Sequence, residues 1–275
     1  MDTTILNADA IQINNIDLKK ITKEEVNQIA KLYFKHLVVV IKNQTLTAQE
    51  LHNIAKLFGN IEYFDKKTVN ERSPDNVNGV QRVCAGVNKD GSPMGLFGHN
   101  SDLDWHCNRP SAENERKPIV FLYAVNASTG SRISWLNNSL SYNDLSITNK
   151  KWLENKKGIY GFKPNTYTKN FNVWKPHKNT VGQKFIRENA VGQKGMFFPI
   201  HQFFGFKDVD ENISKDMTQL LYQHAYQEKY MYHHDYEDGD IIFGDQWLTV
   251  HKRWACELGN RMLYRITMDW MNIQI

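Results

Sequence analysis

Apolar residues recur at helical spacing from Ile21 to His36, with Val26, Ile29, Ala30 and Tyr33 on one face. Thr22 and Glu25 stand three apart at its start, the pattern of a capping box. The spacing predicts a helix over 21–36, followed by a buried β-branched strand over Leu37–Ile41. A second helix is predicted over Thr45–Phe58, where Thr47 and Glu50 repeat the capping pattern and Gly59 marks the stop. The stretch 64–104 is interrupted by Asn, Asp, Gly, Ser and Pro around one short strand near Val80–Val87. It reads either as a lid over a site or as a surface excursion. Pro118–Val125 predicts a strand, and 137–154 is helical in part. The stretch 163–195 is polar and irregular and reads as an insertion. Glu211–Glu228 predicts a helix with Met217, Leu220, Leu221 and Ala225 on one face, after an aromatic run at Phe197–Phe206. Ile241–Phe243, Trp247–Val250 and Met262–Trp270 predict strands. No linker divides the chain, so the pattern predicts one α+β domain over 1–275, mainly a β core with helices around it.

Composition narrows the partners. Of 275 residues, 41% are hydrophobic, enough for a sizeable core. The net charge of +4 comes from dispersed lysines and arginines, without the basic block of a nucleic-acid groove, and suits an acidic small molecule equally well. Cys84, Cys107 and Cys256 form no close pair, which points to a reducing compartment. The first residues lack the basic start and apolar core of a signal peptide. The longest apolar run, Leu37–Ile41, is far too short for a bilayer. The expectation is a cytoplasmic protein with a small-molecule substrate, no nucleic-acid partner and no membrane partner.

Candidate chemistry sits near the middle and the end. His106 and Asn108 are two apart, so on a strand both face one way, while Trp105 and Cys107 face the other as core residues. His251 could close a triangle with them around one metal. A triangle of two imidazoles and one carboxylate leaves open positions suited to Fe(II), O2 and a bidentate cosubstrate. Arg261 and Arg265 lie four apart on the last predicted strand, again on one face, and a guanidinium grips a carboxylate as a fork. Ten histidines offer many accidental pairs, so spacing alone leaves this open. His233 and His234 are a rival pair that reads as a solvated turn. Arg109, His201 and Gln202 are further candidates for substrate contacts, and Asp245 for holding the distal histidine's strand in place. No Ser-His-Asp order, P-loop or CxxC supports a hydrolase, a nucleotide site or a zinc module.

Together, the ordered motifs resemble the taurine dioxygenase family of Fe(II)- and 2-oxoglutarate-dependent oxygenases. His36 to Thr47 and then Leu57-Phe58-Gly59-Asn60-Ile61 resemble its opening strand and helix. Leu103-Asp104-Trp105-His106 resembles its metal strand. Pro118–Val125, then Thr129-Gly130-Ser131-Arg132-Ile133-Ser134-Trp135, resembles the strand and glycine turn that lead to the cosubstrate. Gly239-Asp240-Ile241-Ile242-Phe243-Gly244-Asp245, His251 and Asn260-Arg261-Met262-Leu263-Tyr264-Arg265 resemble its C-terminal signature. The resemblance implies a double-stranded β-helix (jelly roll) flanked by helices. It implies His106 and His251 as iron ligands and either Arg261 or Arg265 on the 2-oxoglutarate carboxylate, leaving the other for the substrate. The implied reaction decarboxylates 2-oxoglutarate to succinate and CO2 and most often hydroxylates a C–H bond. A small polar metabolite, such as an amino acid or a derivative, is the expected substrate, with 64–104 and 163–195 selecting it. A homo-oligomer is possible by family analogy.

Two positions depart from the family pattern. Asn108 stands where a carboxylate ligand is usual; its carbonyl can coordinate but brings no charge. It reads as a weak ligand, as a residue that swings aside for a halide in a halogenase-like variant, as the mark of an inactive binding protein, or as a deliberate Asp-to-Asn change. Asp104 could in principle supply a carboxylate from the other side. Ile133 stands where many members carry a threonine hydroxyl on the cosubstrate. Ser134 is the adjacent hydroxyl and the remaining cosubstrate candidate, although strand alternation turns it to the opposite side.

Overall fold

The computed structural model describes residues 1–84, 102–110, 118–127, 130–161, 182–256 and 261–269. Two strands, β1 (Asp2–Ile5) and β2 (Ile11–Asn14), precede helix α1 (Lys23–His36) and strand β3 (Val38–Ile41). Helices α2 (Ala48–Phe58) and α3 (Lys66–Arg72) lead to β4 (Gln81–Cys84), β5 (Leu103–His106), β6 (Ile119–Asn126) and β7 (Arg132–Asn137). Then come α4 (Asn138–Asn143), α5 (Ile147–Leu153), β8 (Lys157–Tyr160) and three short strands, β9 (Gln183–Lys184), β10 (Ile186–Glu188) and β11 (Lys194–Met196). The chain finishes with β12 (Phe203–Phe206), α6 (Glu211–Ala225), β13 (Met231–Asp235), β14 (Ile241–Asp245), β15 (Thr249–Arg253) and β16 (Met262–Met268).

Both predicted capping boxes form: the Thr22 and Thr47 side chains accept from the amides of Glu25 and Glu50, and both glutamates reach back to the cap. Leu37 does not begin the strand as the pattern suggests. It caps α1 in a left-handed conformation, φ 64°, with its amide bonded to Tyr33, so β3 starts one residue later. Gly59 ends α2 in an extended conformation that any residue adopts.

A seven-stranded sheet runs in the order β1-β2-β3-β14-β6-β16-β4, and a four-stranded sheet in the order β13-β7-β15-β5. The first is apolar on both faces, which explains the unbroken hydrophobic runs of β3, β6 and β14. Val39, Ile41, Phe121, Tyr123, Ile241 and Phe243 join one cluster with Tyr33, Phe34, Leu51 and Phe58 of α1 and α2. Val38, Val40, Val120, Leu122, Ile242 and Leu263 join another with Ile133, Trp135 and Tyr236 from the four-stranded side. The molecule is thus a mixed α+β structure, mainly β, with an apolar layer between two sheets and helices on the outer face of the larger one.

Several expectations need correction. The predicted insertion is not all irregular: in its described part Phe185, Arg187 and Asn189 are buried and β9 to β11 form, with strands too short to show an alternation. The remainder, 163–181, lies outside the described residues, as do 85–101 of the 64–104 stretch. Trp247 belongs to a turn before β15, because Asp245 Oδ1 accepts from the amides of both Trp247 and Leu248. His233 and His234 sit on β13 rather than in a solvated turn; His234 is buried and bonds Asp240 at 2.9 Å. Among the described residues, no helix is long and apolar enough to cross a membrane.

Candidate active site

The site begins with strand register. β15 runs antiparallel between β5 and β7, and His251 pairs with His106 on one side and Trp135 on the other. Residues directly opposite in such a ladder project to one face. The two imidazoles therefore meet, with ring centroids 4.2 Å apart and planes at 57°, and Trp135 backs His251 at 4.9 Å. The Asp104 carbonyl accepts from His106 Nδ1 at 2.7 Å, which places the ring's lone pair on Nε2. Burial holds His106 neutral, its pKa pushed down to about 4. Burial, then His106 and Arg265, push His251 well below its ordinary value. His251 Nδ1 is buried and has no hydrogen-bond partner among the described residues.

β5 ends at His106, so Asn108 is not on the strand, but the alternation persists through a clamped segment. Gln202 grips the Cys107 backbone at both ends, accepting from its amide at 2.9 Å and donating to its carbonyl at 3.1 Å. The Cys107 side chain is buried in the aromatic cluster of Phe185, Phe197, Phe198 and Phe203. Gln246 Oε1 accepts from the Asn108 amide at 3.0 Å. The chain then turns at Arg109, φ 52°. Asn108 lines one cavity with His106 and His251, and its Nδ2 is buried without a hydrogen-bond partner.

That cavity lies between the two sheets. Its apolar walls include Val83, Val120, Leu122, Ile133 and Leu263, and its polar lining adds Tyr236, Arg132, Arg253, Arg261 and Arg265. No carboxylate lines it among the described residues. Arg132 is engaged by Asp235 at 2.6 Å, and Arg265 Nη2 donates to Gln81 at 2.6 Å. Arg261 differs: it is 1% exposed, and its Nε and Nη2 have no partner among the described residues. Burial and the neighbouring Arg261 bring Arg253 down to about 10. Four arginines on one lining, with Arg261 fully buried among them, have the chemistry of a carboxylate site.

Of the residues singled out from sequence, His106, Asn108, His251, Arg261 and Arg265 come together. The others do not. Ser134 is turned away, as alternation requires: its Oγ meets His233 Nδ1 at 2.5 Å and accepts from Trp254 Nε1 at 2.6 Å. Arg109 is half-exposed and ion-paired to Glu62. His201 pairs with Asp104 at 2.9 Å on the outer side of β5. This contact, more than any other, holds the Asp104 carboxyl far below its usual range and directs it away from the imidazoles. Gln202 is fully buried as the Cys107 clamp rather than a cavity residue. Asp245 organises the turn into β15 and accepts from the Tyr33 hydroxyl at 2.8 Å. Sequence reasoning missed Arg253, Tyr236 and Gln246. Arg253 was within reach, since it stands two residues after His251 on one strand; the other two carry no local signal.

Comparison with known proteins agrees with this arrangement. Residues 3–267 match the sequence family described as taurine catabolism dioxygenase TauD, TfdA family. No curated protein sequence matches the chain. Among solved structures, AAD-2 in complex with Mn(II) and N-oxalylglycine superposes with a TM-score of 0.77 at 19% identity, covering 100% of this chain and 99% of that one. A taurine dioxygenase from Burkholderia xenovorans gives 0.74 at 19% identity, covering 95% and 86%. At this identity the two structures speak to the fold, and the family match over nearly the whole chain speaks to kinship. The chain belongs to the TauD/TfdA family of 2-oxoglutarate-dependent dioxygenases, which use Fe(II), 2-oxoglutarate and O2.

Proposed function

We propose that His106, Asn108 and His251 hold Fe(II), that Arg261 holds 2-oxoglutarate, and that the enzyme hydroxylates a small polar metabolite such as an amino acid or a derivative. One observation carries the reading. Two neutral imidazoles and a buried amide share a cavity whose only formally charged side chains, among the described residues, are arginines. The residues fit both groups. The imidazole lone pairs and the Asn108 carbonyl are the donor types that Fe(II) accepts. The unpaired Nε and Nη2 of Arg261 are a ready fork for a carboxylate. The two facing sheets support a double-stranded β-helix, and the absence of a linker supports one domain over 1–275.

Bound together, Fe(II), 2-oxoglutarate and O2 supply the oxidising power, with succinate, CO2 and a hydroxylated product as the outcome. The protein's own part is positioning and charge. The cross-strand register brings the two imidazoles side by side on one face. Burial keeps both unprotonated near neutral pH. Val83, Val120, Leu122, Ile133 and Leu263 give the cavity apolar walls. Asn108 leaves the ligand set without charge. A dication entering alone meets several guanidiniums and, among the described lining residues, no carboxylate, whereas a dication and a dianion entering together cancel.

Metal affinity and cosubstrate affinity are therefore coupled, and calorimetry with Mn(II) tests this. The expected result is Mn(II) binding at least about tenfold tighter with 2-oxoglutarate present. Asn108→Asp is expected to tighten binding of the metal alone by about tenfold and to weaken the coupling. Fe(II) under air should then yield succinate. Absence of coupling together with absence of succinate would leave a non-catalytic binding protein. A product mass that depends on chloride would mean halogenation at a site vacated by Asn108.

A further inference from the structure

The cavity holds a second unpaired donor beside Arg261. Tyr236 lies just past β13, and its side chain lines the same cavity. The residue is 7% exposed, and its hydroxyl is buried with no hydrogen-bond partner among the described residues. A buried phenol normally finds an acceptor. Here the cavity's described lining offers arginines, apolar side chains, two imidazoles and the Asn108 amide, but no carboxylate, and none of them meets the phenol. Burial pushes the phenol's pKa far up, against the smaller downward pull of the Arg261 charge, so the group remains a neutral donor at every ordinary pH.

The ring is held in place. The Tyr236 amide donates to the Ser131 carbonyl at 2.9 Å. The ring stands edge-on to His234, with centroids 5.0 Å apart, and Asp240 fixes His234 in turn. His234 pairs with Ile133 across β13 and β7, so Tyr236, two residues on, is a diagonal neighbour of Ile133 on one sheet face. Ile133 has no hydroxyl to offer the cavity, and Ser134 spends its own on His233 and Trp254.

We infer that the Tyr236 hydroxyl and the Arg261 guanidinium together bind one carboxylate of 2-oxoglutarate, the phenol supplying from β13 the hydroxyl that β7 lacks. A carboxylate has lone pairs enough for both guanidinium N–H groups and the phenol at once. All three donors are buried and unpaired until such an acceptor arrives. This inference rests on the reading of the cavity as a 2-oxoglutarate site. Tyr236 acts in binding the cosubstrate, not in the chemistry at the substrate carbon.

The test is 2-oxoglutarate affinity measured calorimetrically in the presence of Mn(II), with the melting temperature of the ligand-free protein measured in parallel. Tyr236→Phe keeps the ring and removes the hydroxyl. The expected Kd for 2-oxoglutarate rises by about tenfold, the loss of one hydrogen bond to a charged group. The expected ligand-free Tm stays within about 1 °C of the wild type, because no protein partner is lost. An unchanged Kd overturns the inference. So does a fall of several degrees in ligand-free Tm, which would make the hydroxyl structural. Arg261→Gln separates the two levels. If it weakens 2-oxoglutarate binding while Tyr236→Phe does not, only the role of Tyr236 fails. If neither variant matters, or the wild type binds no 2-oxoglutarate, the cosubstrate reading of the cavity fails and takes the inference with it.

Discussion

Gln202 shows how a residue outside the cavity sets the site. Its amide bonds both the N–H and the C=O of Cys107, the residue between the two candidate ligands on the β5 side. With Gln246 holding the next amide, the backbone from His106 to Asn108 is fixed although it has left the strand. A side chain can only present a ligand atom reproducibly if its own backbone is held. Gln202→Leu preserves bulk and removes both bonds. We expect a loss of about 2 kcal/mol in urea denaturation, together with weaker Mn(II) binding as Asn108 drifts. Metal affinity equal to the wild type would show that the clamp serves stability alone. Gln202 was a cavity candidate from sequence because a glutamine beside an aromatic run can as well face a pocket as a backbone. Nothing local distinguishes the two.

At the scale of elements, the site depends on how closely the two sheets approach at one point. Trp135 on β7 packs over Gly244 on β14, where a Cβ would fall inside the indole ring. The same indole backs His251 at 4.9 Å. Gly244→Ala cannot be absorbed by a flexible side-chain tip, since the atoms met are the buried end of a ring that is 1% exposed. We expect a destabilisation of about 3 kcal/mol or more and a lowered metal affinity, as Trp135 and then His251 are displaced. A Tm equal to the wild type would refute this packing. The motif containing Gly244 was visible in sequence as part of the C-terminal signature. Its physical reason, an indole from another sheet, was not.

At the scale of the molecule, buried titratable groups make stability depend on pH. His106 and His251 have depressed folded-state pKa values, the first about 4, so what they contribute is present above about 6.5 and lost as pH falls. Asp245 works in the other direction. Burial raises it to about 6, so its contribution is present below the usual carboxylate value and lost as pH rises through 6. Between about pH 4 and 6 the unfolded chain binds more protons at the imidazoles, and the folded chain binds more at Asp245. With two imidazoles opposing one carboxyl, stability of the ligand-free protein should rise with pH across that window and level off above about 6.5. Asp245→Asn removes the opposing group and should steepen the rise. Urea melts at pH 5, 6 and 7 decide this; a flat profile would contradict the burial of the imidazoles.

The sequence by itself determined the elements whose signals are local. Capping boxes set the starts of α1 and α2, because a threonine and a glutamate three residues on satisfy each other's neighbourhood without help. The doubly buried strands β3, β6 and β14 followed from unbroken apolar runs. The pairing of His106 with His251, and of these with the arginines, was legible as ordered motifs and not as geometry. Tertiary structure decided the rest. It chose which polar side chains face the cavity, turning Ser134, His201 and Gln202 to other partners and bringing in Arg253 and Tyr236. It also buried Arg187 and Asn189 of a stretch that reads as surface. The reason is that a hydrogen-bonding side chain is defined by its partner, and for these residues the partner lies on another strand, far away along the chain.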